Sequence, residues 1–226
     1  MSIKLVVFDM AGTTVKDENY VGLAFQQAMK HSGYEIPLKD INPIMGYEKP
    51  LAIKMMLQVY EPNTALITEE LIGVIHKDFV ANMLHFYQTS DQILPLPQAE
   101  ETFEALRSQG IKIGLDTGFS KDIADVIIER LNWADKVDVV VASDEVKNGR
   151  PYPDMIYKMM QQLDITDTAE IAKVGDTEVD INEGKNTGCK YVIGVTTGAF
   201  TRHELAPYQP THIIDNVAEV LDIIAG

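Results

Sequence analysis

Short runs of consecutive apolar residues recur along the chain at 4–8, 111–115, 137–141, 171–174 and 191–195, with a weaker one at 211–214. A strand that is apolar on both faces has to be covered on both sides, which is the condition of a parallel sheet flanked by helices. The segments between the later runs carry helical patterns, at 99–109, 121–131, 154–163 and 180–187. Gly110 and Gly188 stand where helices stop, and Pro153 stands where a first-turn proline is tolerated. This alternation predicts an α/β fold built on a doubly wound parallel sheet.

The stretch 17–93 breaks the pattern. Apolar residues there follow a helical spacing around 23–28, 51–59 and 69–86, no buried strand stands out, and Pro95 and Pro97 close the segment. The reading is a helical domain of residues 17–93 inserted after the first strand of an α/β core formed by 1–16 and 94–226. A length of 226 residues accommodates a core plus such an insert. Placed above the strand ends, the insert would act as a lid.

Open α/β sheets bind ligands outside the carboxyl ends of their strands, so polar residues at those ends carry the functional information. Asp9 follows the first run and is succeeded by Met10-Ala11-Gly12-Thr13-Thr14. Asp116-Thr117-Gly118-Phe119 follows the second. The loop Lys147-Asn148-Gly149-Arg150-Pro151-Tyr152-Pro153 follows the third. Gly175-Asp176-Thr177, with Asp180 beyond, follows the fourth. A carboxylate at such a place can attack an electrophile, and it can equally form a turn and cap the next helix. Thr117-Gly118 can bind a ligand or start a helix. Arg150 can serve a site or be a solvated loop residue, and Asp180 can open a helix with Glu183 at capping-box spacing. Four such pieces at consecutive strand ends favour a shared site. Asp9, Asp176 and Asp180 would repel one another if left unpaired, and hard oxygen ligands with room for phosphate point to Mg²⁺. Thr117 could donate to a phosphoryl oxygen, and Arg150 or Lys147 could offset negative charge there. Phosphoryl transfer to a carboxylate is the chemistry these groups suit.

The net charge of -15 disfavours nonspecific binding to nucleic acid or to anionic membranes, which needs basic patches. Cys189 is the single cysteine, so no intrachain disulfide can form, and no base stands beside it to make it a nucleophile. No apolar stretch reaches transmembrane length and the N-terminus lacks a signal layout, which gives the expectation of a cytoplasmic protein without membrane contact. His31, His76, His85, His203 and His212 show no metal-ligand spacing. The methionine pairs Met55-Met56 and Met159-Met160 read as core filler.

The order of these motifs resembles the haloacid dehalogenase (HAD) superfamily of aspartyl-nucleophile hydrolases, and the insert resembles that family's class I cap domain. The resemblance implies that Asp9 becomes an aspartyl-phosphate. It also implies that Asp9, the carbonyl of Ala11, Asp176 and Asp180 hold Mg²⁺, and that Thr117 and Arg150 bind the phosphoryl group, with Gly12 and Gly118 beside it. Most HAD phosphatases carry a general acid two residues after the nucleophile, where this chain has Ala11. The phosphonatase branch (phosphonoacetaldehyde hydrolase) also has alanine there and uses a cap lysine that forms a Schiff base with the substrate aldehyde. Met45-Gly46-Tyr47-Glu48-Lys49 is similar to that cap segment, with Lys49 as the lysine and Met45 as the cap methionine; Gly149–Pro153 and Lys173–Thr177 match as well. The chain departs from the branch at Met10, where it has tryptophan, at Ala52, where a proton-shuttling histidine is expected, and at Phe119, where it has tyrosine. A small phosphonate or phosphorylated substrate follows from the resemblance, as does a homodimer through the cap. A phosphomonoesterase similar to phosphoglycolate phosphatase is the alternative. A phosphomutase, a dehalogenase and a non-catalytic binding module rank below it. Lys49 itself can be a cleft amine or a solvated helix charge.

Overall fold

The computed structural model describes residues 2–225. Six strands form one parallel sheet in the order β3-β2-β1-β4-β5-β6: β1 (Leu5–Asp9), β2 (Lys112–Thr117), β3 (Val139–Ala142), β4 (Ile171–Gly175), β5 (Tyr191–Val195) and β6 (His212–Ile214). The order reverses at β1, which makes the space beyond its carboxyl end the crevice where such sheets bind ligands. The doubly wound α/β expectation therefore holds. Along β1 the side chains alternate between two packed layers. Val6 and Phe8 join the cluster containing Phe103 and Trp133, while Leu5 and Val7 join Val141, Met155, Ile156 and Met159. Both faces are covered, which is why the strand reads as one apolar run.

The helices between strands fall close to their sequence patterns: α5 (Ala99–Ser108), α6 (Lys121–Leu131), α7 (Asp154–Gln162) and α8 (Glu178–Thr187) follow the four helices of the insert, and α9 (Arg202–Leu205) and α10 (Val220–Ala225) close the chain. Helix α8 begins earlier than the pattern indicates. Thr177 is its cap, and Asp180 occupies the third helical position with its carboxylate reaching back to the Thr177 N–H at 3.2 Å.

The insert contributes α1 (Tyr20–His31), α2 (Leu38–Ile41), α3 (Lys49–Tyr60) and α4 (Glu69–Thr89) and no strand of the sheet. Its helices pack on one another through residues such as Phe25 and Phe79, whose rings lie 6.2 Å apart. The turn before α3 rests directly on the sheet's carboxyl edge. A side chain at Gly118 would lie 2.9 Å from the Tyr47 carbonyl oxygen, and Tyr47 donates its hydroxyl to Glu178 at 2.8 Å. Among the described residues, no helix is long and apolar enough to cross a membrane.

Candidate active site

Parallel register brings Asp9 beside Asp116 at the ends of β1 and β2, and the end of β4 delivers Asp176 on the other side. The chain then has to turn sharply away from β1. Gly12 does this at φ +90, and a Cβ there would sit 2.8 Å from Asp176 Oδ2. The resulting cavity, about 300 Å³, lies between the strand ends and the insert. Most of the residues singled out from the sequence line it: Asp9, Ala11, Gly12, Met45, Lys49, Thr117, Gly118, Arg150, Asp176 and Asp180.

Arg150 is 3% exposed, which rules out a solvated loop residue. Its Nη1 donates to Asp9 Oδ1 at 2.7 Å and to Asp180 Oδ1. Lys147, the other cation of that loop, is exposed and takes no part. Thr117 is buried with its Oγ1 accepting the Phe119 N–H at 3.2 Å, so it both shapes the turn and faces the cavity. Asp176 accepts the Ala199 N–H at 2.6 Å and the Thr13 hydroxyl at 3.3 Å.

Beneath these residues lies a network the motifs do not reveal. Lys173, in the middle of β4, is completely buried and donates to both oxygens of Asp116, at 2.6 Å to Oδ2. It also stands 3.2 Å from Asp180 and 3.1 Å from Glu183. Burial alone would drive the Lys173 ammonium toward neutrality, but the Asp116, Glu183 and Asp180 charges outweigh it and hold its pKa above the usual lysine range. Burial pushes Asp9 up to about 6 against the pull of Arg150. It lifts the Asp176 carboxyl well above the carboxylate range, with the Asp9 charge adding to it. Asp180 stays below that range because, despite burial, Arg150 and Lys173 face it.

Carboxylate oxygens of Asp9, Asp116 and Asp180 lie within 4.8 Å of one another, a grouping that could hold a metal ion. It differs from the sequence-derived set in containing Asp116 rather than Asp176. Asp116 is already neutralised by Lys173 and does not line the cavity, whereas Asp176 does. None of the histidines joins this group; His31, for example, pairs with Asp78 at 2.8 Å. Cys189 packs against two apolar clusters, one containing Ile171 and the other Val192, and burial pushes its thiol up to about 12.

Lys49 is 2% exposed, so it is not a solvated helix charge. Its Nζ donates to the carbonyls of Met45 at 2.7 Å and Tyr47 at 3.1 Å, and it lies 5.5 Å from the Phe119 ring centre and 6.0 Å from that of Phe79. Burial, helped by the Arg150 charge, lowers its pKa to about 7. Ala52, one turn on, is buried and carries no titratable group.

The family model for haloacid dehalogenase-like hydrolases matches residues 6–194 of the chain. A phosphonoacetaldehyde hydrolase of Bacillus cereus is 31% identical over 210 residues, covering 88% of this chain and 78% of the relative. The Bacillus mycoides enzyme of the same name is 30% identical over 236 residues, covering 97% and 87%. Among solved structures, a phosphonoacetaldehyde hydrolase-like protein from Oleispira antarctica superposes with a TM-score of 0.86 at 24% identity, covering 100% of this chain and 92% of that one. A predicted phosphoglycolate phosphatase from Haemophilus somnus superposes at 0.83 with 20% identity, covering 99% and 98%. At those identities the structural likenesses speak for the fold.

Proposed function

Because the chain belongs to the haloacid dehalogenase-like hydrolases, we propose that it cleaves a small carbonyl-bearing phosphonate, with Asp9 as nucleophile and Lys49 as a Schiff-base amine. The observation that carries this reading is Lys49 itself, a buried amine with a pKa of about 7 that shares one cavity with Asp9. An amine poised near neutrality attacks a carbonyl, whereas an ordinary lysine is protonated. The segment 17–93 serves as the cap that delivers it.

The reaction balances as follows. Lys49 Nζ adds to the substrate carbonyl and water leaves, giving a protonated imine. Asp9 attacks phosphorus, the P–C bond breaks, and its electron pair moves into the imine to give an enamine. Protonation at carbon and hydrolysis release the aldehyde and free Lys49, while water attack releases phosphate from Asp9. No alkoxide has to leave, so the lack of a carboxyl group at Ala11 is no obstacle. Arg150 and Thr117 hold phosphoryl oxygens.

The donor set suits Mg²⁺: the Asp176 carboxyl, lifted by burial and by the Asp9 charge, lacks a cation of its own. Asp9, the Ala11 carbonyl, Asp176 and Asp180 would hold the ion. When bound it supplies positive charge between the nucleophile and the phosphoryl oxygens.

Ala52 favours a second reading, hydrolysis of a phosphate monoester, because α3 offers no proton shuttle beside Lys49. Borohydride added to protein, Mg²⁺ and phosphonoacetaldehyde separates the two. The first reading expects phosphate release and a reduced two-carbon adduct on Lys49. Phosphate release from esters with no adduct selects the second, and neither result with any compound defeats both.

A further inference from the structure

The roof of the cavity, supplied by the insert, contains polar groups that the reaction above does not use. Asp17, Asn19 and Asn42 line it together with Gly22. Asn42 Oδ1 is buried with no hydrogen-bond partner among the described residues. The Asn19 side chain leaves the N-terminus of α1 uncapped. That task falls to Asp17, whose Oδ1 accepts the Tyr20 N–H at 2.7 Å and approaches the Val21 N–H at 3.4 Å. Buried polar groups in folded proteins are nearly always paired, and one left unpaired costs stability unless a ligand or water completes it.

Gly22 brings the two amides together. A Cβ there would lie 2.6 Å from Asn19 Oδ1 and 3.2 Å from Asn42 Oδ1, so any larger residue would crowd both. Glycine is less favourable than alanine inside a helix, and here its lack of a side chain keeps the amide oxygens clear. Asp17 and Lys49 line the same cavity.

We propose that Asp17, Asn19 and Asn42 form a subsite that binds a hydroxyl group on the carbon chain of the substrate, away from phosphorus. An amide both donates and accepts, as a hydroxyl does, whereas an ammonium only donates and would also meet the Lys49 charge. The substrate class is therefore a hydroxylated carbonyl phosphonate or phosphate rather than the bare two-carbon aldehyde. This inference rests on the cavity being the substrate site, as proposed above.

Carbonyl-free phosphonates test it without turnover. Calorimetric titration with Mg²⁺ present compares propylphosphonate, 2,3-dihydroxypropylphosphonate and 3-aminopropylphosphonate. The expected result is that the dihydroxy compound binds roughly tenfold more tightly than the propyl compound. Asn42→Ala, Asn19→Ala and Gly22→Ala should each shrink that ratio toward one, so the test survives the misfolding of any single variant. Equal affinities, no measurable binding, tighter binding of the amine, or an unchanged ratio in folded variants would overturn the subsite. A hydroxyl preference with no Lys49 adduct in the borohydride experiment would remove the proposed reaction and leave the subsite standing. An adduct without the preference does the reverse.

Discussion

Lys173 in the sheet and Lys49 in the helical insert are both buried, at 0% and 2% exposure, yet their surroundings push them in opposite directions. Lys173 faces three carboxylates, those of Asp116, Asp180 and Glu183, and keeps its proton firmly. Lys49 faces two carbonyl oxygens and two aromatic rings, which accept hydrogen bonds and favour a cation but carry no net charge. Desolvation, helped by the Arg150 charge, therefore outweighs the pull of Asp9 and Asp17 at Lys49, and its pKa falls to about 7. The contrast separates a lysine that holds acidic groups in register from the one proposed as a nucleophile. Burial is common to both, so burial alone does not mark a reactive amine.

Removing the positive charge from the sheet should have the largest consequence. Lys173→Met would leave Asp116 and Asp180 facing each other with only Arg150 to compensate. Breaking a buried ion pair from one side costs about 3–5 kcal/mol, so the variant should lose on the order of 10 °C in Tm, read by calorimetry. A loss under a few degrees would mean that the network is not what holds the strand ends together.

Lys49→Met sharpens the other half of the comparison through pH. In the native protein this amine titrates near 7, against an ordinary lysine value of 10.5 in the unfolded chain. Between those values the unfolded chain binds a proton that the native protein does not, so this group makes stability rise with pH from 7 to 10.5 and exerts its full penalty below 7. The stability difference, variant minus wild type, should thus be most favourable to the variant below pH 7 and shrink above it, by up to about 5 kcal/mol over the window, with the Tm difference following it. The rate of adduct formation should climb through the same region as Lys49 loses its proton. A pH-independent Tm difference would place Lys49 outside the sealed pocket.

The sheet and the positions that line the cavity at its edge were legible because both leave local marks. Continuous apolar runs identify strands buried on two faces, and most of the candidate side chains on the core side follow such a run within a few residues, Arg150 in the long loop after β3 being the exception. Asp9, Thr117 and Asp176 are located by that rule alone. Lys173 carries a mark too, a charge inside the apolar sequence Ile171-Ala172-Lys173-Val174, but its meaning depends on Asp116 from β2 and Glu183 from α8. No spacing predicts which partners a buried charge will find. The roof of the cavity was the least legible. Asp17, Asn19 and Asn42 come from loop and helix-end positions, where such residues are ordinary turn formers. They acquire a function only when α1 and the turn after α2 are packed side by side. Phe79, which helps desolvate Lys49, comes from α4, where it reads as one more apolar helix position.

Glu183 provides the finest test of the contrast. Burial, reinforced by the Asp116 charge, lifts its carboxyl well above the ordinary range despite the nearby Lys173. That shift favours the neutral acid, which makes Glu183 a weaker counter-charge to the lysine than Asp116 or Asp180. Glutamine has nearly the same shape and no charge, so Glu183→Gln should change stability by under about 1 kcal/mol. Asp116→Asn, which removes the anion that Lys173 grips with both oxygens, should cost several times more. If the two substitutions proved equally costly, Glu183 would be ionised in the native protein, and the buried lysine would be balanced by a full set of three anions.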